Sequence, residues 1–203
     1  MKRVVKIIAL GLILLFMLGN GGVNYLSFES NVYSSPHTNS VLFVNDSFES
    51  MNASDTSQIT SLDSKEQNLI GCGVYSGTLQ GSNLSTSYAS SSGGSDILLF
   101  GWNQSIGYWS TNIGGTVNDF CQKVIWIDEH LIGVVGSFEN TITIGTNDHA
   151  SKGGTDGFFS IYNITNQQWV NTFTLGSSLD DKFNSFVPLT NGSYVILGTT
   201  KGN

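Results

Sequence analysis

Apolar and polar positions alternate along this chain in short runs of strand length, and the runs recur. Residues 122–127 and 131–138 read as two strands joined by Asp128-Glu129-His130. Residues 156–162 and 168–175 read as two more, joined by a turn at residues 163–166, with residues 139–155 as a long connection between the two pairs. One copy later the first joint is Asn191-Gly192, a dipeptide suited to tight hairpins because both residues accept positive φ. Upstream, residues 59–62 and 69–75 occupy the places of a first and a second strand, so the earliest copy begins near Asp55.

The copies keep a period near sixty. Gly93-Gly94-Ser95-Asp96 aligns with Gly153-Gly154-Thr155-Asp156, Asn103 with Asn163, and Trp109 with Trp169. Further on, Asp119 answers Asp181 and Gly136 answers Gly198. Such a period marks a repeat architecture, in which one unit cannot bury its apolar faces without its neighbours. Residues 97–100 and 158–161 are apolar without alternation, as expected of strands covered on both faces. Pro188 lies in a first-type strand and lacks the N–H of a central strand, so the first strand of each unit is expected at a sheet edge. The fold class expected is all-β: a β-propeller or a related β array of four-stranded units. The units span residues 55–117, 118–179 and, incompletely, 180–203. A propeller closes with about four to eight blades, so an incomplete propeller is expected, completed by a longer chain or by self-association, the longer chain being the preferred reading.

The N-terminal region has a different character. Lys2, Arg3 and Lys6 precede an apolar run over residues 7–18, the pattern of a secretory signal over residues 1–22, with an uncleaved anchor as the alternative. Residues 23–53 form a Ser/Asn-rich lead-in whose apolar patch, residues 41–44, reads as linker or as strand. Charged residues make up only 11% of the chain and the net charge is −7, which argues against nucleic acid or an anionic membrane as partner; membrane contact is expected only through the N-terminal segment if it stays uncleaved. Six N-x-S/T sequons, at Asn45, Asn52, Asn83, Asn103, Asn163 and Asn191, are possible glycan acceptors in an exported protein.

The quoted residues resemble the SBBP-type β-propeller repeats of exported bacterial and archaeal proteins. The likeness rests on Gly-Gly-x-Asp before an apolar strand (Asp96, Asp156), on the aspartate loops at Asp119 and at Asp180-Asp181, and on the Gly-Ser-Phe of residues 136–138. Leu179, inserted before Asp180, and the diverged first copy depart from the pattern. The resemblance implies a propeller on an exported protein and no established catalytic residues.

Candidate chemistry is sparse. Asn118-Asp119 and Asp180-Asp181 offer few of the six or more oxygens a calcium ion takes, so they are expected to cap backbone N–H groups, as are Asp96 and Asp156. His37, His130 and His149 share no ligand spacing and read as surface residues. Trp109 and Trp169 read as packing residues; Trp102 and Trp126 are less regular, with packing preferred to ligand contact. Cys72 and Cys121 stand at different places of the repeat, so free thiols are expected. No nucleophile–base set or carboxylate pair for acid/base work appears, and Thr155-Asp156-Gly157 is followed by Phe158-Phe159, which breaks the aspartate box of sialidase-like propellers. A non-enzymatic exported scaffold binding an unknown protein or glycan is therefore expected, with no cofactor or metal. The alternatives are a carbohydrate-processing propeller enzyme and a structural envelope element.

Overall fold

The computed structural model describes residues 39–44, 47–81 and 89–202. The expected signal segment lies outside the described residues, as do Asn45, Asn83 and His37. The described chain is all-β, with no helix. It begins with an antiparallel hairpin of β1 (Asn39–Val44) and β2 (Ser47–Ala53), so the apolar patch that read as linker or strand is a strand. Then follow β3 (Ser57–Lys65) and β4 (Asn68–Tyr75), the short β5 (Thr78–Gly81) and β6 (Ala89–Ser90), and β7 (Asp96–Asn103) with β8 (Gly107–Gly115). The second unit is β9 (Asp119–Trp126), β10 (Leu131–Ile144), β11 (Asn147–Asn163) and β12 (Gln168–Leu175), and the chain continues into β13 (Asp181–Pro188) and β14 (Tyr194–Thr200).

Two four-stranded antiparallel meanders carry the repeat: β3-β4-β7-β8 and β9-β10-β11-β12. The hairpin β13–β14 repeats the first two strands a third time. Among the described strands the first-type ones sit at edges, as Pro188 implied: β3 pairs only with β4, β9 only with β10, and β13 only with β14. The free edge of β9 is nevertheless occupied. Its Val124 N–H donates to Ser61 Oγ at 3.2 Å and its Trp126 N–H to Asp63 Oδ2 at 2.9 Å, both on β3 of the preceding unit. Side chains of one unit thus cap the edge of the next, which keeps a row of unpaired donors from recruiting a foreign strand.

The register explains the repeated glycine. In all three copies the first strand carries one extra residue, Thr60, Gln122 or Asn184, where the pairing slips. Opposite each bulge stands Gly73, Gly136 or Gly198. A Cβ there would collide with the backbone carbonyl of Gln58, Phe120 or Lys182 respectively. The bulge draws the two backbones together, and only glycine fits beneath that carbonyl.

One expectation is corrected. Residues 139–155, read as a connection, form a hairpin in which β10 runs on to Ile144 and β11 begins at Asn147. A bulge at Asn140, with φ of 61°, turns the extension aside, and its Ile142 and Thr143 pair with Gly115 and Gly114 at the end of β8. The alternating Thr141-Ile142-Thr143-Ile144 supports a strand there, with Ile142 and Ile144 buried. Unit 1 has the same device in shorter form: Leu79 of β5 pairs with Ala53 of β2, as Ile142 pairs with Gly115. By this pairing β1 and β2 stand where the third and fourth strands of a preceding unit would stand.

The core lies between successive sheets. Ile70, Cys72, Ile97 and Leu99 of unit 1 meet Cys121, Val124, Trp126, Ile132 and Val134 of unit 2 in one buried cluster. Val135, Phe159 and Ile161 of unit 2 meet Phe183 and Phe186 of the third copy in another. The middle strands are apolar on both faces because each sheet is covered twice; Asp96 to Gly101 of β7 are all buried. Gly136→Ala is expected to destabilise the protein by about 1–3 kcal/mol, since the clash is with backbone that cannot rotate away. Thermal unfolding checks this, and an unchanged Tm would show that the bulge can relax.

Candidate functional site

The most regular chemistry is at the joint where one unit hands over to the next. There Asp96, Asp119, Asp156 and Asp181 are all buried. Each uses its Oδ2 in one manner, accepting from the backbone N–H four residues earlier: Ser92 at 3.0 Å, Gly115 at 2.7 Å, Lys152 at 3.1 Å, and Ser177. The capping role expected of these residues is what the geometry shows. Their neighbours repeat too. Asn118 Oδ1 accepts from the Ser95 N–H and Asp180 Oδ1 from the Thr155 N–H. Gly93-Gly94 and Gly153-Gly154 lie flat against these linkers: a Cβ on Gly93 would strike the Thr116 backbone, and one on Gly153 the Ser178 backbone. The Gly-Gly-x-Asp motif is therefore a seat for the strand linker of the following unit.

Among the described residues each of these aspartates keeps its Oδ1 buried and without a hydrogen-bond partner. The electrostatics follow. Burial pushes Asp119 up to about 8, against the one bond from Gly115 and helped by the charges of Asp96 and Glu139. Burial likewise raises Asp96 and Asp156. Asp181 goes the other way, held below the usual carboxylate range by the hydroxyls of Thr200 and Ser177. Asp180, exposed and paired with Lys201 Nζ at 2.8 Å, is also lowered, chiefly by that bond. Among the described residues no three His, Cys, Asp or Glu side chains gather as a metal site.

A carboxyl whose folded pKa exceeds its unfolded value stabilises the fold while protonated. The Asp119 contribution is complete below the ordinary carboxylate range, falls as pH rises, and is gone above about 8. Asp119→Asn keeps an oxygen for the Gly115 N–H and removes the titration. Its Tm is expected to exceed that of the wild type at pH 9, with the gap narrowing toward pH 4. An equal gap at both pH values would remove the burial explanation.

The cysteine expectation is corrected. Cys72 and Cys121 form a disulfide, with Cα atoms 6.2 Å apart, and both are fully buried. Their unlike repeat positions do not separate them, because each joint sets the trailing face of one sheet against the leading face of the next. Cys72 is on the trailing face of unit 1 and Cys121 on the leading face of unit 2. Thiol titration of the denatured, unreduced protein is expected to find none, and the Cys72→Ala, Cys121→Ala double variant is expected to lose about 2–5 kcal/mol of stability. Two titratable thiols would overturn the pairing.

At the opposite end from the aspartates, the hairpin turns of units 1 and 2 frame an open groove of about 290 Å³. Lys65, Glu66, Asn68, Asn103, Glu129 and His130 line it, with Trp126 beneath. His130 is exposed, and its Nδ1 lies 3.1 Å from Thr165 Oγ1. Asn68 Oδ1 accepts from the Gln104 N–H across the turn. Trp109 and Trp169 pack as expected: Tyr162 stands between them, its ring centre 5.5 Å from Trp109 and 4.8 Å from Trp169. Trp102 packs against the cluster on the other face of unit 1.

Three sequon asparagines share one local geometry. Asn103, Asn163 and Asn191 each sit in a hairpin turn, where Oδ1 accepts the N–H of the Ser or Thr two residues on, at 2.8, 2.9 and 3.0 Å. Asp128 does the same for the β9–β10 turn. Turn formation alone accounts for these side chains. At Asn191-Gly192 only Gly192 has positive φ, 81°, so the turn is not the form that needs it at both residues. Asn52 lies within β2 and pairs with Asn39 and Gln80. Neither a family model nor a curated protein matches this chain.

Proposed function

We propose that this chain is an exported, non-enzymatic β-propeller scaffold of the SBBP type, presenting the groove between units 1 and 2 to a saccharide. The observation that carries the reading is the groove itself. It is the mouth of an inter-unit joint, built from four turns that the repeat places side by side. Its volume of about 290 Å³ falls just short of the small-ligand range of about 300–1,000 Å³, a size for one or two sugar rings. The amide of Asn68, the carboxylates of Glu66 and Glu129, and Lys65 supply the mixed donors and acceptors that hydroxyl groups require.

The export part of the reading is supported by the basic head and apolar run at the N-terminus and by the Cys72–Cys121 disulfide, which suits an oxidising compartment. The propeller part is supported by two four-stranded meanders and a hairpin repeating one bulge, one glycine and one aspartate joint. The scaffold reading is preferred to the enzyme reading because the repeated aspartates are spent on backbone N–H groups within the joint.

An oligosaccharide array probed with the wild type and with Glu129→Gln and Lys65→Ala tests this. Both residues stand at the groove rim, so the fold is expected to survive. Bound signal that falls about tenfold or more in the variants is expected, the equivalent of losing one well-made polar contact of about 1.4 kcal/mol. An array without signal, or a signal that both variants keep, overturns the groove assignment. Hydrolysis of a bound glycan would instead favour the enzyme reading.

A further inference from the structure

Three hairpin turns hold an asparagine in one geometry and differ in the residue that follows it. Asn103, Asn163 and Asn191 each accept, through Oδ1, the N–H of the residue two places on, at 2.8, 2.9 and 3.0 Å. Such a bond polarises the side-chain amide and steadies its oxygen when that oxygen gains charge under attack. The successors are Gln104, Ile164 and Gly192. We propose that Asn191 is a site of spontaneous covalent modification: the Gly192 backbone nitrogen attacks the Asn191 side-chain amide, and a cyclic imide converts the residue to aspartate and isoaspartate. The inference goes beyond the functional reading above and depends on neither the groove nor the propeller.

The successor decides the outcome because its nitrogen is the nucleophile. To reach the amide carbon that nitrogen must move with its own residue, and ties to neighbouring structure resist the movement. Ile164 is 1% exposed within the core cluster, and its N–H donates to the His130 carbonyl at 2.9 Å. The Gln104 N–H donates to Asn68 Oδ1 on the neighbouring hairpin. Both nitrogens are thus anchored outside their own turns. The Gly192 N–H donates to the Leu189 carbonyl at 3.0 Å, inside its own turn, so local opening frees it without disturbing a joint. Nothing lies within 4 Å of where a Gly192 Cβ would stand, and glycine leaves and re-enters a φ of 81° at little steric cost. Asn191, Gly192 and Ser193 are all exposed, so water and hydroxide reach the turn.

Among the described residues no other asparagine precedes a glycine. Asp156-Gly157 is open to the same cyclisation in principle, but both residues are buried and Gly157 is held between Ser137 and Leu175.

The chemistry balances with water as the sole reagent. Hydroxide removes the Gly192 amide proton, the nitrogen bonds to Asn191 Cγ, and the Cγ–Nδ2 bond breaks, ammonia leaving with a proton from solvent. Water then opens the imide at either carbonyl. One opening restores the main chain as aspartate, and the other routes the main chain through Cγ as isoaspartate, one methylene longer. Both products are charged where the amide was neutral. Both also end the role of Asn191 as a glycan acceptor, because the nitrogen that would carry the glycan has left. The longer isoaspartate turn closes less tightly between Leu189 and Ser193, whose backbone bond is 2.8 Å in the unmodified chain.

The test is peptide mapping by mass after incubation of the folded, unglycosylated chain at neutral and alkaline pH. Trypsin, cutting after Lys182 and Lys201, isolates residues 183–201. That peptide is expected to gain the mass of an amide-to-acid conversion at Asn191, in proportion to hydroxide, and to become a substrate for protein isoaspartyl methyltransferase. The peptides holding Asn103 and Asn163 are expected to keep their amides over the same period. Gly192→Asn, which tolerates positive φ and places a side chain beside the nucleophile, is expected to lose the conversion at Asn191. Asn191→Gln is expected to lose it from the peptide altogether, which excludes Asn184 as its source. An Asn191 amide that survives in the folded chain while the denatured chain converts overturns the proposal, because the turn would then protect the residue. Conversion at Asn103 or Asn163 to the same extent, or conversion at Asn191 undiminished in Gly192→Asn, overturns it by removing the role of the successor.

Discussion

Everything in this molecule depends on the burial of one sheet against the next. A four-stranded sheet whose middle strands are apolar on both faces cannot stand in water with one face bare. Unit 1 gives Ile70, Cys72, Ile97 and Leu99 to one side and Leu98 and Phe100 to the other. Unit 2 divides in the same way, with Val134 and Phe158 facing back and Val135 and Phe159 facing forward. The stability of a unit is thus chiefly the stability of its two joints, and the period of the sequence is the period of those joints. Aromatic contacts gather there: Tyr162 against Trp109, and Phe159 against Phe186 and Tyr194, with ring centres 4.9 to 5.5 Å apart.

Close stacking imposes a second demand, because the chain must cross from the fourth strand of one sheet to the first strand of the next in a few residues. The crossing after β8 takes Thr116, Val117 and Asn118, and it lies on Gly93-Gly94. The N–H of Asp119 donates to the Ser95 carbonyl at 2.7 Å, and the N–H of Gly94 to that of Val117 at 3.1 Å. The linker is therefore held by backbone bonds on both sides. A further bond recurs in all three copies: Ser76, Glu139 and Lys201 donate their N–H to the carbonyls of Thr56, Asn118 and Asp180. That bond ties the end of the second strand to the start of the first, and it is blind to side-chain identity. Its persistence in the diverged first copy, where Ser57 replaces the aspartate, shows that backbone geometry outlasts the sequence motif.

Much of this was legible in the residues. Strand positions in units 1 and 2 follow from apolar runs, and the edge position of the first strand from Pro188 alone. Three features were hidden for different reasons. Residues 39–53 carry no Gly-Gly-x-Asp motif, so the sequence left residues 41–44 open between linker and strand, and the place of the hairpin β1–β2 in the repeat is visible only through its pairing with β5. The extension of β10 and β11 is rich in polar residues, because only Ile142 and Ile144 turn inward while its other face meets water. The disulfide was obscured by the repeat itself. Alignment compares like positions, whereas a joint brings unlike positions together, so the most informative comparison in a stacked protein is between the trailing residues of one copy and the leading residues of the next.

The aspartates bring these threads together. A carboxylate at the joint is an expensive choice if an acceptor for one N–H is all that is needed, since burial without a cation raises its pKa and leaves an oxygen unpartnered. An amide would serve the same N–H, and Asn118 shows that the adjacent position accepts one where the next copy has Asp180. The difference lies in what crowds the second oxygen. Gly114 and Gly176 pass so close to the carboxyls of Asp96 and Asp156 that a Cβ on either would occupy the same space. In that confinement a carboxyl group needs one donor and at most one proton, whereas an amide brings two N–H groups that must both find acceptors. Around Asp96 and Asp156 the joint thus favours the smaller hydrogen-bonding demand, whereas the raised pKa of Asp119 follows from its burial.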